Sequence, residues 1–248
     1  MLTAGELFSV ALFDQLLEQY RNTPIEENLR RIFKKITAGL PEMVSLDSGF
    51  LKSNVTFIPD AVPDIETQVF ETIFRALQEH KVLEFEYRPL QKNSYMTRTI
   101  KPYHAVCQKG NWYILGFCDD KNEVRVFSFS RIKNPKIKPG NFLIPSDFKP
   151  EKYFDKELGI WLSAKTSYKV ELIVSKEIGT YALDHKFTSN QKSELRDDGS
   201  VYISFETNQL PEIKRWVLGQ GSTVKVLSPS KLIEEVKNEL SKTIELYK

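Results

Sequence analysis

Residues 123–131, Glu-Val-Arg-Val-Phe-Ser-Phe-Ser-Arg, interleave arginines with phenylalanines. These are the side chains that hold phosphates and stack on bases. At a strand's period of two, Val124, Val126 and Ser128 share one face, and Arg125, Phe127, Phe129 and Arg131 share the other. Two orientations satisfy this pattern. With the valines inward, the outer face presents aromatics flanked by guanidiniums, a surface suited to single-stranded nucleic acid. With the strand turned over, both phenylalanines are buried and the arginines fall into salt bridges at the rim. The charge distribution concentrates on the same region. Residues 81–140 carry 12 basic and 5 acidic groups, whereas residues 1–80 carry 7 and 12 and residues 141–248 carry 16 and 16, in a chain of net charge +2. A polyanion is the natural partner of such a segment; a solvated, lysine-rich surface is the competing explanation.

No other pattern supplies reaction chemistry. Cys107 and Cys118 give neither a disulfide framework nor a C-x-x-C pair, and His80, His104 and His185 are the only imidazoles. A structural zinc site or a His-based dyad is poorly supplied. Phosphate-loop, dinucleotide-binding, nucleophile-elbow, zinc-protease and calcium-loop motifs are absent. Gly219-Gln220-Gly221 follows a helical pattern and reads as its cap. Asp119-Asp120 and Asp197-Asp198 read as hairpin turns, His80 as the close of a helix and His185 as part of a polar loop. The sequence therefore predicts no enzyme, no cofactor and no metal. No apolar run reaches the roughly 18 residues of a membrane-spanning helix, and the N-terminus lacks a secretory pattern. The expectation is a cytoplasmic protein with no membrane contact.

The elements that must position these residues follow from periodicity. A helix is predicted over residues 7–20. Thr23-Pro24-Ile25-Glu26 then has the capping-box form, in which the Thr hydroxyl accepts a first-turn N–H and Glu26 reaches back. Ile25, Leu29, Ile32, Phe33, Ile36 and Leu40 make one helical stripe that ends at Gly39 and Pro41. Residues 50–58 resemble a strand, and a third helix carries Ile65, Val69, Phe70, Ile73 and Leu77. After Lys81 the period becomes two, with strands at 83–87, 98–103, 112–117 and 124–129 joined by hairpin-length loops. Together they predict a small antiparallel β-barrel of the Sm or SH3 kind. Residues 135–163 contain prolines and little periodicity, which predicts an extended connector docked by Phe148, Tyr153, Phe154 and Trp161. Beyond it, a strand, a helix, a hairpin around Asp198-Gly199, a helix and a strand spell βαββαβ, the ferredoxin-like order, followed by a last helix. The fold class is α+β. Residues 1–63 form a helical linker, 64–140 the small barrel, 141–166 the connector and 167–248 the C-terminal domain.

Four ordered blocks carry a family resemblance. They are residues 85–89 (Phe-Glu-Tyr-Arg-Pro), 98–104 (Arg-Thr-Ile-Lys-Pro-Tyr-His), 110–117 (Gly-Asn-Trp-Tyr-Ile-Leu-Gly-Phe) and 124–132 (Val-Arg-Val-Phe-Ser-Phe-Ser-Arg-Ile). They resemble the WYL domain, a bacterial regulatory module named for a Trp-Tyr-Leu triplet that here reads Trp112-Tyr113-Ile114. Residues 168–247 resemble the C-terminal extension that follows WYL domains in proteobacterial-type regulators. Residues 2–7 resemble the start of the helical linker that in such proteins follows a winged helix-turn-helix, a domain this sequence does not contain.

The resemblance implies the sensing and oligomerisation part of a bacterial transcription regulator. Its WYL barrel would bind single-stranded nucleic acid or a nucleotide, and so alter recognition of duplex DNA by an attached winged helix. Matched residue by residue, it implies a binding surface of Tyr87, Arg98, His104, Tyr113, Arg125, Phe127 and Arg131. Arg98, Arg125 and Arg131 would hold phosphates, Tyr113 and Phe127 would stack on bases, and His104 would donate a hydrogen bond. Trp112 and Ile114 fall to the core. The stripe from Ile25 to Leu40 would make a homodimer contact. Two other classes stay open: a constitutive module that binds an acidic protein partner, and a nucleic-acid-processing enzyme, for which no metal or general-base cluster is visible.

Overall fold

The computed structural model describes residues 9, 17–20, 23, 25–38, 60–90, 92–154, 159 and 166–248, and the chain divides into two units, residues 1–146 and 147–248. In the first unit, α1 (Ile25–Thr37) begins after Thr23. The predicted cap takes a different form there: the Thr23 hydroxyl donates to the Tyr20 carbonyl at 2.6 Å, while Glu26 N–H donates to the Thr23 carbonyl at 3.1 Å. Ile25 packs against the unit's core, and Ile32, on the same predicted stripe, is 53% exposed. Most of the helix predicted over 7–20, the strand predicted over 50–58, Leu40 and Trp161 lie outside the described residues.

The next helix, α2 (Thr67–Gln78), buries Val69, Phe70, Ile73 and Ala76, the stripe expected from spacing of three and four. It covers a five-stranded antiparallel sheet: β1 (Lys81–Tyr87), β2 (Met96–Gln108), β3 (Asn111–Cys118), β4 (Glu123–Ser128) and β5 (Ile132–Asn141). The strand order is β4-β3-β2-β1-β5. Leu83, Phe85, Tyr87, Ile100, Ile114, Cys118 and Phe127 turn toward the helix and form the core with its buried stripe.

Two expectations are corrected here. The sheet is not a closed barrel: β4 and β5 are its two edges, and no described ladder joins them. They are consecutive in the chain, linked by a single 3-10 turn, Phe129–Arg131. That turn ends the period of two before Phe129, whose ring is fully buried between Phe70, Phe74 and Trp112. Residues 135–141, expected as the start of an extended connector, belong instead to β5. Pro135 and Pro139 are tolerated because an edge strand need not donate every N–H. Pro135 lies where the β1–β5 register slips, beside Asn134 at φ 49°.

The sheet bends at identifiable residues. Between Pro102 and His104 the β2–β3 register shifts, so that Tyr103 is the extra residue of a bulge. On β3, a Cβ at Gly116 would lie 2.7 Å from Ile100 Cδ1 and 2.9 Å from the Lys101 carbonyl oxygen. Only glycine allows β2 to approach this closely.

In the second unit, β6 (Tyr168–Val174), α3 (Gly179–Asp184), β7 (Lys192–Leu195), β8 (Val201–Thr207), α4 (Leu210–Gly219), β9 (Val224–Ser228) and α5 (Ser230–Glu245) follow in order. All ladders are antiparallel, in the order β7-β8-β6-β9. Val170, Leu172, Val174, Ile203 and Phe205 meet Ile213, Val217 and Leu232 of the helices. The Asp198-Gly199 turn is held by the Asp198 carboxylate, which accepts from Ser200 N–H at 2.9 Å and from its hydroxyl at 2.6 Å. These bonds keep the Asp198 carboxyl below the usual carboxylate range. Among the described residues, no helix is long and apolar enough to cross a membrane.

Because the obstruction at Gly116 is partly backbone, Gly116→Val should destabilise the first unit by about 1–3 kcal/mol. This is to be read as a lower thermal midpoint, with the second unit's unfolding unchanged.

Candidate functional site

Register decides which proposed residues can act together, because residues directly opposite on antiparallel strands share a face. Ile114 pairs with Phe127, Gly116 with Arg125, Phe85 with Arg98 and Leu83 with Ile100. Tyr87, Arg98, Arg125 and Phe127 therefore stand on the face that α2 covers. Leu115 pairs with both His104 and Val126, and Tyr113 with Val106 and Ser128. His104 and Tyr113 stand on the opposite face. The seven residues do not form one surface.

Phe127 is the clearest correction. It is 3% exposed, and its ring meets Phe85 edge-on at 5.3 Å and Tyr87 at 5.0 Å. The strand takes the second of its two orientations, because Phe85 and Tyr87 already form the wall on which an apolar face must close. A ring enclosed in this way cannot stack on a base. Tyr87 is likewise mostly core, with its hydroxyl 3.5 Å from the N–H of Ser128. Burial pushes the Tyr87 phenol up, against the Arg131 guanidinium, which draws it down. That guanidinium sits over the Tyr87 ring, 5.4 Å from its centroid.

Arg98 and Arg125 are held at the open end of the same face by acids of one hairpin. Arg98 Nη1 lies 3.4 Å from Asp120 Oδ2, and Arg125 Nε donates to Glu123 Oε1 at 2.8 Å. Asp119 and Asp120 open the 3-10 turn Asp119–Lys121 between β3 and β4, and Asp119 pairs with Lys101 at 3.0 Å. Sequence reasoning assigned these carboxylates to turn formation alone. The Glu123–Arg125 spacing of two on one strand face was a readable signal for a pair. The Arg98–Asp120 pair, 22 residues apart, had none.

Two further basic residues of the segment have carboxylate partners. Lys138 pairs with Glu84 at 3.2 Å, and Lys109 lies 3.8 Å from Asp60. Of the residues assigned to the core, Ile114 is fully buried, and Trp112 packs on Phe70 and Phe74. His80 is exposed at φ 50° just past α2, where its carbonyl accepts from Phe142 N–H at 3.1 Å. Among the described residues, no group of three His, Cys, Asp or Glu side chains is placed to hold a metal ion.

The chain is similar to known proteins in both of its units. Residues 68–137 match the WYL domain and residues 166–244 the WCX domain. Protein PafB of Mycobacterium tuberculosis (strain ATCC 25618 / H37Rv) is 25% identical over 180 residues, covering 68% of this chain and 50% of that protein. Protein PafB of Mycobacterium leprae (strain TN) is 22% identical over 166 residues, covering 66% and 49%. The chain spans about half the length of these relatives. Among solved structures, proteasome accessory factor B/C (PafBC) of Arthrobacter aurescens is similar over 73% of this chain and 27% of that one, with 19% identity and a TM-score of 0.32.

The position of Phe127 has a measurable consequence. Phe127→Ala should cost about 3–5 kcal/mol of stability, as for a buried aromatic. Denaturant unfolding checks this, and any loss of ligand affinity should track the unfolded fraction.

Proposed function

We propose that this chain, a WYL domain joined to a WCX domain, is the ligand-sensing part of a transcriptional regulator, and that its WYL sheet binds single-stranded nucleic acid or a nucleotide. The observation that carries this reading is how Arg98 and Arg125 are held. Both project from one sheet face, and both are engaged by carboxylates of one exposed hairpin, with Asp120 and Glu123 side chains 52% and 53% exposed. The Arg125–Glu123 pair, with both side chains exposed, contributes only about 0–1 kcal/mol, whereas the Arg98 side chain is 20% exposed. At Arg125 a phosphate can therefore take the carboxylate's place at little cost, and it accepts from a guanidinium through two parallel bonds. Arg131, bound to the Tyr87 ring and to no carboxylate among the described residues, is a third phosphate donor of the WYL sheet.

In this reading the domain is a binding module and not an enzyme. The base-stacking role falls to Tyr113, with His104 as a hydrogen-bond donor on the same face. A strand long enough to pass around the β4 edge meets both faces, whereas a mononucleotide meets one, so affinity should rise with oligonucleotide length. Residues 64–140 are the sensing domain, and 167–248 are a ferredoxin-like extension whose strand order is the one reported above. The signal passes to duplex DNA through a winged helix attached to this part, and two copies associate through the apolar stripe of α1.

Two experiments test the reading. Arg125→Ala with Arg131→Ala should remove about two phosphate contacts and lower the slope of log affinity against log salt by roughly 1.4 for a single strand. The thermal midpoint should hardly move; an unaltered slope would refute the assignment. Leu29→Glu with Ile32→Glu should shift the sedimenting species from dimer to monomer. A wild type that sediments as monomer at high concentration rules out the α1 contact.

A further inference from the structure

Arg88 leaves the end of β1, Tyr95 precedes β2 and Lys133 lies on β5, so three separate chain segments meet at one corner of the sheet. The Arg88 N–H donates to the Arg131 carbonyl at 3.1 Å, which carries the β1–β5 pairing one step past Tyr87 and Ile132. The Arg88 guanidinium carbon lies 5.9 Å, and the Lys133 ammonium nitrogen 5.1 Å, from the centroid of the Tyr95 ring. That ring is 37% exposed.

Several of the sheet's cations are ion-paired, and those of this corner are not. Arg98, Lys101, Lys109, Arg125 and Lys138 each have a carboxylate partner. Among the described residues, Arg88 and Lys133 have none. The register partner of Lys133 is Glu86, whose carboxylate instead accepts from Asn134 Nδ2 at 3.1 Å. Two cations gathered about one exposed ring raise the local potential, and an anion bound between them relieves it. A phosphodiester accepts from both a guanidinium and an ammonium. An aromatic ring set among such cations also gives a neighbouring base a surface to stack on, which an acidic peptide would not use.

We propose that Arg88 and Lys133, spaced by Tyr95, form a separate phosphate-binding corner that takes the backbone of a single nucleic-acid strand. The corner rests on the reading above for its ligand, but not for its residues. It lies on the β1–β2 loop and β5 and shares no residue with the β3–β4 hairpin that holds Arg98 and Arg125.

The test is fluorescence anisotropy of a labelled oligothymidylate over a salt series, on the full chain, with thermal midpoints measured alongside. Arg88→Ala with Lys133→Ala should lower the log–log slope by about 1.4, the value for two single-strand phosphate contacts. The fold should be unaffected, since both side chains are exposed. Lys121→Ala, at an exposed cation of the β3–β4 turn, should leave the slope unchanged. If Arg98→Ala with Arg125→Ala lowers the slope and the corner variant does not, the corner is refuted and the WYL-sheet reading stands. If only the corner variant lowers it, the corner stands and the hairpin arginines are not the site. A wild type that does not bind the strand overturns both. Tyr95→Leu should weaken binding several-fold at constant slope, and unchanged affinity removes the ring from the site.

Discussion

The contact between Tyr87 and Phe127 constrains everything else in the first unit. β1 and β4 stand three places apart in the sheet, about 14 Å if it were flat at the usual strand spacing, yet the two rings approach to 5.0 Å. The sheet must curl until its far strands face each other. Gly116 and the Tyr103 bulge supply the local freedom to do so. The 3-10 turn after Ser128 then brings the chain from β4 back alongside β1 as β5. Phe70 and Phe74 of α2 close one end of the curl against Trp112 and Phe129. The opposite end, where Arg98 and Arg125 stand, is closed by ion pairs and not by apolar packing.

This division explains why a segment with seven excess positive charges is not a uniformly basic surface. Its five acids are spent where strands meet. Glu84 and Glu86 engage β5, and Asp119, Asp120 and Glu123 engage the cations near the β3–β4 turn. Part of the excess that remains gathers on aromatic rings, around Arg88, Tyr95, Arg131 and Lys133, where the ends of β1, β2 and β5 converge. A polyanion would meet two kinds of site: arginines already organised by carboxylates it could replace, and cations held only by aromatic rings. Because the second kind has no competing anion, it contributes to attraction at longer range before any pair is exchanged.

The WYL and WCX matches cover the two units separately, at residues 68–137 and 166–244, and agree with the division of the chain at residue 146. Each unit has its own apolar cluster. The β2 bulge, the glycine on β3 and the edge prolines of β5 are features of the WYL unit alone. Its residues project from a strongly curved sheet, whereas the second unit alternates buried and open positions along β6 and β8 with little interruption.

Period and punctuation in the sequence by themselves determined most of the elements. The change from helical spacing to alternation after Lys81 marks α2 and β1, and Asp198-Gly199 marks the β7–β8 hairpin. The family resemblance was legible in the four blocks around Trp112-Tyr113-Ile114. What the sequence could not decide is which face of an alternating strand is inside. Alternation is unchanged when a strand is turned over, so Arg125 and Phe127 were bound to share a face, but nothing local fixed its direction. Phe85 and Tyr87, some forty residues earlier in the chain, decided it by offering an apolar wall on which Phe127 could close. β5 was hidden for a related reason: its prolines argue against a strand unless the strand is an edge, and being an edge is a property of the assembled sheet. The pairing of Arg98 with Asp120 likewise exists only once β2 and the β3–β4 turn are side by side. Local chemistry set what each segment could be, and the long-range burial of apolar rings chose among the arrangements it allowed.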